Sequence, residues 1–180
     1  RTGYDFAGWY YGEGAGKMPF RFTGDSNPTV ITSDMNVYAE WTIHSHKFIV
    51  KFKDDQGNER ENSRDDKDYG ASISQPTGLS WEGRTFTNEW YNDSGLTDRL
   101  TSWPITMPDS DKTVYAKWTV NSYSVRFYGD ENDTNPRLTT SVLYNGTVDG
   151  NLTTDWGPLN AQSDQPSRNR AFDGWYYYDG

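Results

Sequence analysis

The feature that most constrains this chain is an internal repeat. Val37-Tyr-Ala-Glu-Trp41 returns as Val114-Tyr-Ala-Lys-Trp118, 77 positions later. Lys47-Phe-Ile-Val-Lys-Phe52 returns as Ser122-Tyr-Ser-Val-Arg-Phe127, 75 positions later. Tyr4 to Gly12 (YDFAGWYYG) returns at Ala171 to Gly180 (AFDGWYYYDG), with a weaker copy at Arg84 to Asp93 (RTFTNEWYND). Tyr69-Gly70 matches Tyr144-Asn145-Gly146, and Gln75-Pro76-Thr77 matches Gln165-Pro166-Ser167. Five landmarks in one order, at a period near 76 residues, mean units too small to bury much core and built to be stacked in tandem.

Each landmark reads as a strand. Phe48, Val50 and Phe52 fall on one face of an extended segment, as do Tyr123, Val125 and Phe127. Val37, Ala39 and Trp41, and again Val114, Ala116 and Trp118, alternate likewise. Period two places one face on a core and the other in water, so Val37, Ala39, Trp41, Phe48, Val50, Phe52, Val114, Ala116 and Trp118 are the predicted core. On that register, Trp118→Ala costs about 3–5 kcal/mol. Acidic, Gly-containing clusters such as Asp54 to Asn58 and Gly129 to Asp133 read as turns. No segment sustains a 3.6-residue period, and Gly70 to Arg84 has room for one short helix or 3₁₀ turn at most, interrupted by Pro76. Phe86 and Trp90 are four apart where Phe172 and Trp175 are three apart. Because every added residue flips a strand's faces, a β-bulge is expected at the Trp90 copy. The third copy carries 11 extra residues around Asn151 to Asn160, since Tyr69 to Phe86 spans 17 positions and Tyr144 to Phe172 spans 28.

Composition decides between a folded and a disordered repeat. Only 33% of residues are hydrophobic and the mean hydropathy is −0.97, values that lean towards disorder. Eight Trp, thirteen Tyr and eight Phe reverse that reading, because each ring buries a large area at little entropic cost. Thin, aromatic-centred cores follow. A net charge of −9 sets the chain against nucleic acid and anionic membrane as primary partners. The absence of cysteine removes disulfides, thiolate zinc sites and a thiol nucleophile, and weakly favours a bacterial surface protein over a secreted animal domain. No apolar run is long enough to insert in a membrane. Arg1 in place of an initiating Met reads as a segment of a longer chain.

These motifs resemble the Listeria–Bacteroides repeat family, which includes the B repeat of internalin B. The residues that carry the resemblance are Val50/Phe52 and Val125/Phe127, Tyr69-Gly70, Gly3-Tyr-Asp-Phe-Ala-Gly-Trp-Tyr10 and the two Val-Tyr-Ala-x-Trp strings. The sequence departs from the pattern in lacking Gly before Trp90 and in its insertion. The resemblance implies an α+β, predominantly β fold: tandem small β-grasp (ubiquitin-like) repeats with little helix, each ordered strand–strand–short helix–strand–strand. On this parse residues 1–42 are the second half of one repeat, 43–119 a complete repeat, and 120–180 the first part of a following one, with the insertion near 151–160. Thr42 to His46 and Thr119 to Ser122 are then short linkers that restrict the relative orientation of successive repeats.

Chemistry-bearing constellations are sparse. His44 and His46 are the only histidines, and two apart in an extended linker they share one side; a zinc site would need a third ligand and a second shell, so they read as exposed linker. A Ser-His-Asp triad would have to recruit one of them. Glu82, Glu89 and Asp93 are the carboxylates that could pair for glycoside hydrolysis, but acids here belong to turns and solvated faces. Asp130 and Asp133 sit in a loop of calcium-like composition without the EF-hand order of ligands. The reading is therefore no catalytic residue, no cofactor and no metal, and folding that survives a chelator, with Asp130 and Asp133 the nearest metal candidates. Alternation leaves at least one large ring of each Trp-Tyr strip facing outward, which makes Tyr11 and Tyr177, with Trp156 in the insertion, the candidate contacts for protein or glycan; cross-strand packing is the favoured role for such rings.

The sequence thus predicts a non-enzymatic stalk module of a bacterial adhesin or invasin-like protein, extracellular and wall-attached in the full-length chain, that spaces or presents a binding domain. A glycan- or protein-binding module, or an accessory domain of a secreted enzyme, are the alternatives. Partners are neighbouring repeats of the same chain and a protein or glycan at a cell surface. Because 1–42 and 120–180 are complementary halves, head-to-tail strand exchange between molecules is also expected.

Overall fold

The computed structural model describes residues 1–129, 132–150, 153–154 and 157–158. The fold is almost wholly β. Its strands are β1 (Tyr4–Tyr11), β2 (Met18–Pro19), β3 (Tyr38–Ile43), β4 (Ser45–Lys53), β5 (Glu59–Asp68), β6 (Ser72–Ile73), β7 (Arg84–Tyr91), β8 (Arg99–Leu100), β9 (Ile105–Thr106), β10 (Lys112–Val120), β11 (Ser122–Phe127), β12 (Leu138–Leu143), β13 (Thr153–Thr154) and β14 (Gly157–Pro158). Among the described residues the one helical element is a 3₁₀ turn at Gly14–Gly16. The short helix implied between the second and third strands of a repeat is absent there: β6 pairs with β9, and the chain then runs irregularly to β7. Pro76 has no N–H to donate, and Gly78 and Gly83 lie at positive φ (71° and 68°), so this stretch cannot propagate helical hydrogen bonds.

The residues divide into two compact units, Arg1–Leu79 with Phe86–Trp118, and Ser80–Thr85 with the chain from Thr119 on. In the first unit a five-stranded sheet runs β5-β4-β10-β7-β8, its central pair β4 and β10 parallel and β4/β5 antiparallel. The β4–β5 hairpin closes on Asp54, whose carboxylate accepts the N–H groups of Gln56 and Asn58 and Nε of Arg60 (3.1, 2.8 and 2.8 Å). Phe48, Val50, Ile73, Trp90, Met107, Val114 and Ala116 form the core under this sheet. A second sheet of the same unit, β2-β1-β3, holds residues of the 1–42 half. In the second unit β11 and β12 form an antiparallel hairpin, and β13 and β14 pair within the insertion.

Several predicted core residues are placed differently. Phe52 and Trp118 are half-buried at the margin, packed on each other with ring centroids 6.3 Å apart. Val37, Ala39 and Trp41 are also only half-buried. The opposite face of the large sheet is not simply wet: Ile49, Tyr91 and Tyr115 are buried on it. Tyr115 donates to Glu59, which pairs with Lys51 (2.8 Å), and Glu89 takes Lys117 and Arg99 at 2.7 and 3.0 Å, so paired charges roof the rings. A register shift falls in β1, between Phe6 and Gly8, where a three-residue Phe-Trp spacing would otherwise put the rings on opposite faces, and another in β4, between Val50 and Lys51. In β7 the strand is irregular at the same offset as in β1, Asn88, whose backbone is left-handed (φ 60°).

Candidate functional site

The two linkers are single residues. β3 continues through Thr42 and Ile43, and β4 starts at Ser45, so only His44 separates them. Its N–H donates to Gly3 O (2.9 Å) and its carbonyl accepts Tyr69 N–H (2.8 Å), so one residue ties the segment before β1 to the Tyr-Gly turn. The Tyr69 ring lies directly on Gly3: a Cβ at Gly3 would stand 1.9 Å from its Cδ1. Gly3 also sits at φ 75°, a region open to glycine, and Tyr4 meets Tyr69 edge-on at 6.3 Å. The same three contacts recur in the second unit: Asn121 N–H to Gly83 O (2.9 Å), Tyr144 N–H to Asn121 O (2.8 Å), and the Tyr144 ring 2.0 Å from where a Gly83 Cβ would be.

Side chains distinguish the first joint from the second. Gly70 N–H donates to Met107 O and Met107 N–H to Ala71 O, both at 2.9 Å, which clamps the β9–β10 loop against the Tyr-Gly turn. That loop carries Asp109 to the joint. Asp109 Oδ1 lies 2.6 Å from His44 Nδ1 and 3.0 Å from His46 Nε2, and its Oδ2 accepts Gly3 N–H at 3.2 Å. His44 Nε2 faces Asp5 Oδ1 at 3.1 Å. The two imidazoles meet edge-to-face, centroids 6.0 Å apart. Far from being exposed linker, His44, His46 and Asp109 keep only 29, 25 and 32% of their side-chain surface. The carboxylate of Asp109, then that of Asp5, raises the pKa of His44; hydrogen bonds from His46 and then His44 lower that of Asp109. A ring with a carboxylate at each nitrogen is satisfied as imidazolium, donating twice.

The sequence brings His44 and His46 to one side as expected, but their partner was invisible in it. Asp109 is 65 residues away in an unremarkable acidic turn, and only the repeat-closing pairing of β10 with β4 returns it. Tyr11 is half-buried, its hydroxyl 3.8 Å from Met18 Sδ. Asp133 accepts Gly129 N–H (2.8 Å) and lies 3.4 Å from Arg137 Nε, so its carboxylate closes its own turn. Tyr177, Trp156 and Asp130 lie outside the described residues. Of the carboxylates considered for hydrolysis, Glu89 is held by Lys117 and Arg99, and Asp93 by the N–H groups of Thr97 and Asp98.

The chain matches the Listeria-Bacteroides repeat domain over residues 1–40 and 48–117, more than half its length. It belongs to the Listeria–Bacteroides repeat family. Two relatives, both from Evansella cellulosilytica, bear the provisional names Gly-rich membrane protein and membrane protein. The first is 28% identical over 177 residues, covering 98% of this chain and 18% of its own length. The second is 32% identical over 127 residues, covering 71% of this chain and 18% of its own length. The chain therefore spans under a fifth of each. No solved structure matches. Among the described residues no helix is long and apolar enough to cross a membrane.

Proposed function

We propose that this segment of a repeat-family protein is a non-enzymatic spacer of a bacterial surface protein, holding a binding domain away from the cell, with successive β-grasp modules as its building blocks. The β-grasp reading is supported by the order of the large sheet, in which the first and last strands of the repeat, β4 and β10, lie parallel at the centre and β5 and β7 flank them. Membership of the repeat family and the names of the relatives support a place on or at a cell envelope. The single observation that carries the spacer reading is the one-residue joint. His44 is hydrogen-bonded through its backbone to both Gly3 and Tyr69, and the packing of Tyr69 on Gly3 leaves no slack between β3 and β4. A stalk transmits position only when its joints are stiff, and this one has no free linker.

The outward rings of the 1–42 half, with Phe6 at 50% and Trp9 at 41% exposure, favour a glycan- or protein-binding module as the second reading. Two measurements separate them. Residual dipolar couplings from residues 1–42 and 43–118 should fit one common alignment tensor, and the chain should be silent on a glycan array. Independent tensors for the two stretches would refute the spacer; a specific glycan hit at Phe6 and Trp9 would install the second reading in its place.

A further inference from the structure

The joint has a donor set that its architecture does not require. In the second unit the backbone contacts of the joint are made by Asn121 where the first has His44. There Thr85 Oγ1 meets Asn121 Oδ1 at 2.7 Å, and Tyr123 occupies the position equivalent to His46. Neutral residues therefore build the same joint. The first joint instead collects two imidazoles and a carboxylate, with one donor atom from each within 4.8 Å of the others.

We propose that His44 Nδ1, His46 Nε2 and Asp109 Oδ1 form a site for one zinc-class divalent transition-metal ion at this joint. Bonds of about 2.0–2.1 Å to a tetrahedral zinc ion separate neighbouring donors by about 3.3 Å, so the carboxylate oxygen has to withdraw from its 2.6 and 3.0 Å approaches while the two nitrogens, within 4.8 Å of each other, close on the ion. Two nitrogens and one oxygen suit zinc, whereas calcium and magnesium take oxygen shells. The outer partners are already in place. Asp5 faces the remaining nitrogen of His44 at 3.1 Å, as a carboxylate does behind a metal-bound imidazole, and Gly3 N–H holds the other oxygen of Asp109 at 3.2 Å. Partial exposure of all three ligands leaves the fourth position to water. The ion would join Asp109 of the complete repeat to the histidines that open it. Through Asp5 and Gly3 it would also engage β1 of the preceding half. It thereby ties the joint and leaves the aromatic core to fold without it.

Calorimetric titration of the whole 180-residue chain with zinc chloride, and cobalt(II) absorption spectroscopy in parallel, test this. One saturable site per chain with a tetrahedral cobalt spectrum is expected. His46→Gln and Asp109→Asn should abolish it, Asp5→Asn should weaken it roughly tenfold, and Asp133→Asn should leave it unchanged. Because Asp109→Asn also loosens the joint, the unmutated chain gives a second readout: zinc should shift the imidazole resonances of His44 and His46. No saturable binding, binding unaltered in His46→Gln, or unmoved histidine signals at saturation would each overturn the proposal.

Discussion

Phe6, Trp9 and Trp41 hold the same places in one repeat that Phe86, Trp90 and Trp118 hold in the next, and they meet in the same way. Phe6 stands 5.6 Å from Trp9 and 5.5 Å from Trp41; Phe86 stands 5.3 Å from Trp90 and 5.5 Å from Trp118. Yet Trp9 is 41% exposed and Trp90 only 2%. The local motif thus builds the aromatic triad by itself, but burial comes from elsewhere. In the complete repeat Phe48 and Val50 on β4, Ile73, Met107 and Trp103 cover the triad. In residues 1–42 the rings of Phe6 and Trp9 stay exposed on β1.

The largest way to break this comparison is truncation of the matched tryptophans. Trp90→Ala should cost about 3–5 kcal/mol, and Trp9→Ala under about 1 kcal/mol, the worth of an exposed aromatic pair. Urea denaturation of both variants checks it; equal losses would mean that Trp9 is covered in solution, by a second copy of this chain or otherwise. Gly3→Ala comes next. A left-handed backbone costs an L-residue about 1–3 kcal/mol, and its Cβ would displace the Tyr69 ring. Hydrogen exchange should then accelerate in β1 while β4 and β10 keep their protection, because the joint fails and the core does not.

The smallest effect is electrostatic. Lys117 beside Glu89 holds its carboxyl below the usual carboxylate range, and the Asp98 N–H does the same for Asp93. A depressed folded pKa means stability present above the ordinary carboxylate value and lost as pH falls through the lowered one. Thermal scans from neutral to acidic pH should show the complete repeat weakening at that limb, and Glu89→Gln should flatten it.

How much of this could be read from sequence follows from where each signal lives. The identity and order of β4, β7, β10 and β11 were legible because apolar alternation is local and was written twice. β5 was not: of Glu59 to Asp68, eight residues are charged and none is apolar, since an edge strand uses charge to refuse further partners and so carries no periodic core signal. The linker reading of Thr42 to His46 failed for a related reason, as polar residues beside a turn-like pair look the same whether strand hydrogen bonds claim them or water does. That His44 and His46 face one side was fixed by their spacing in an extended chain. That Asp109 meets them was decided by tertiary structure alone, through the parallel pairing of β10 with β4. Sequence by itself determined the repeat, its strands of alternating apolar residues and the recurring Phe and Trp positions. Only the fold decided which triad is buried and which polar residues converge, because burial and convergence are sums over partners dozens of residues away.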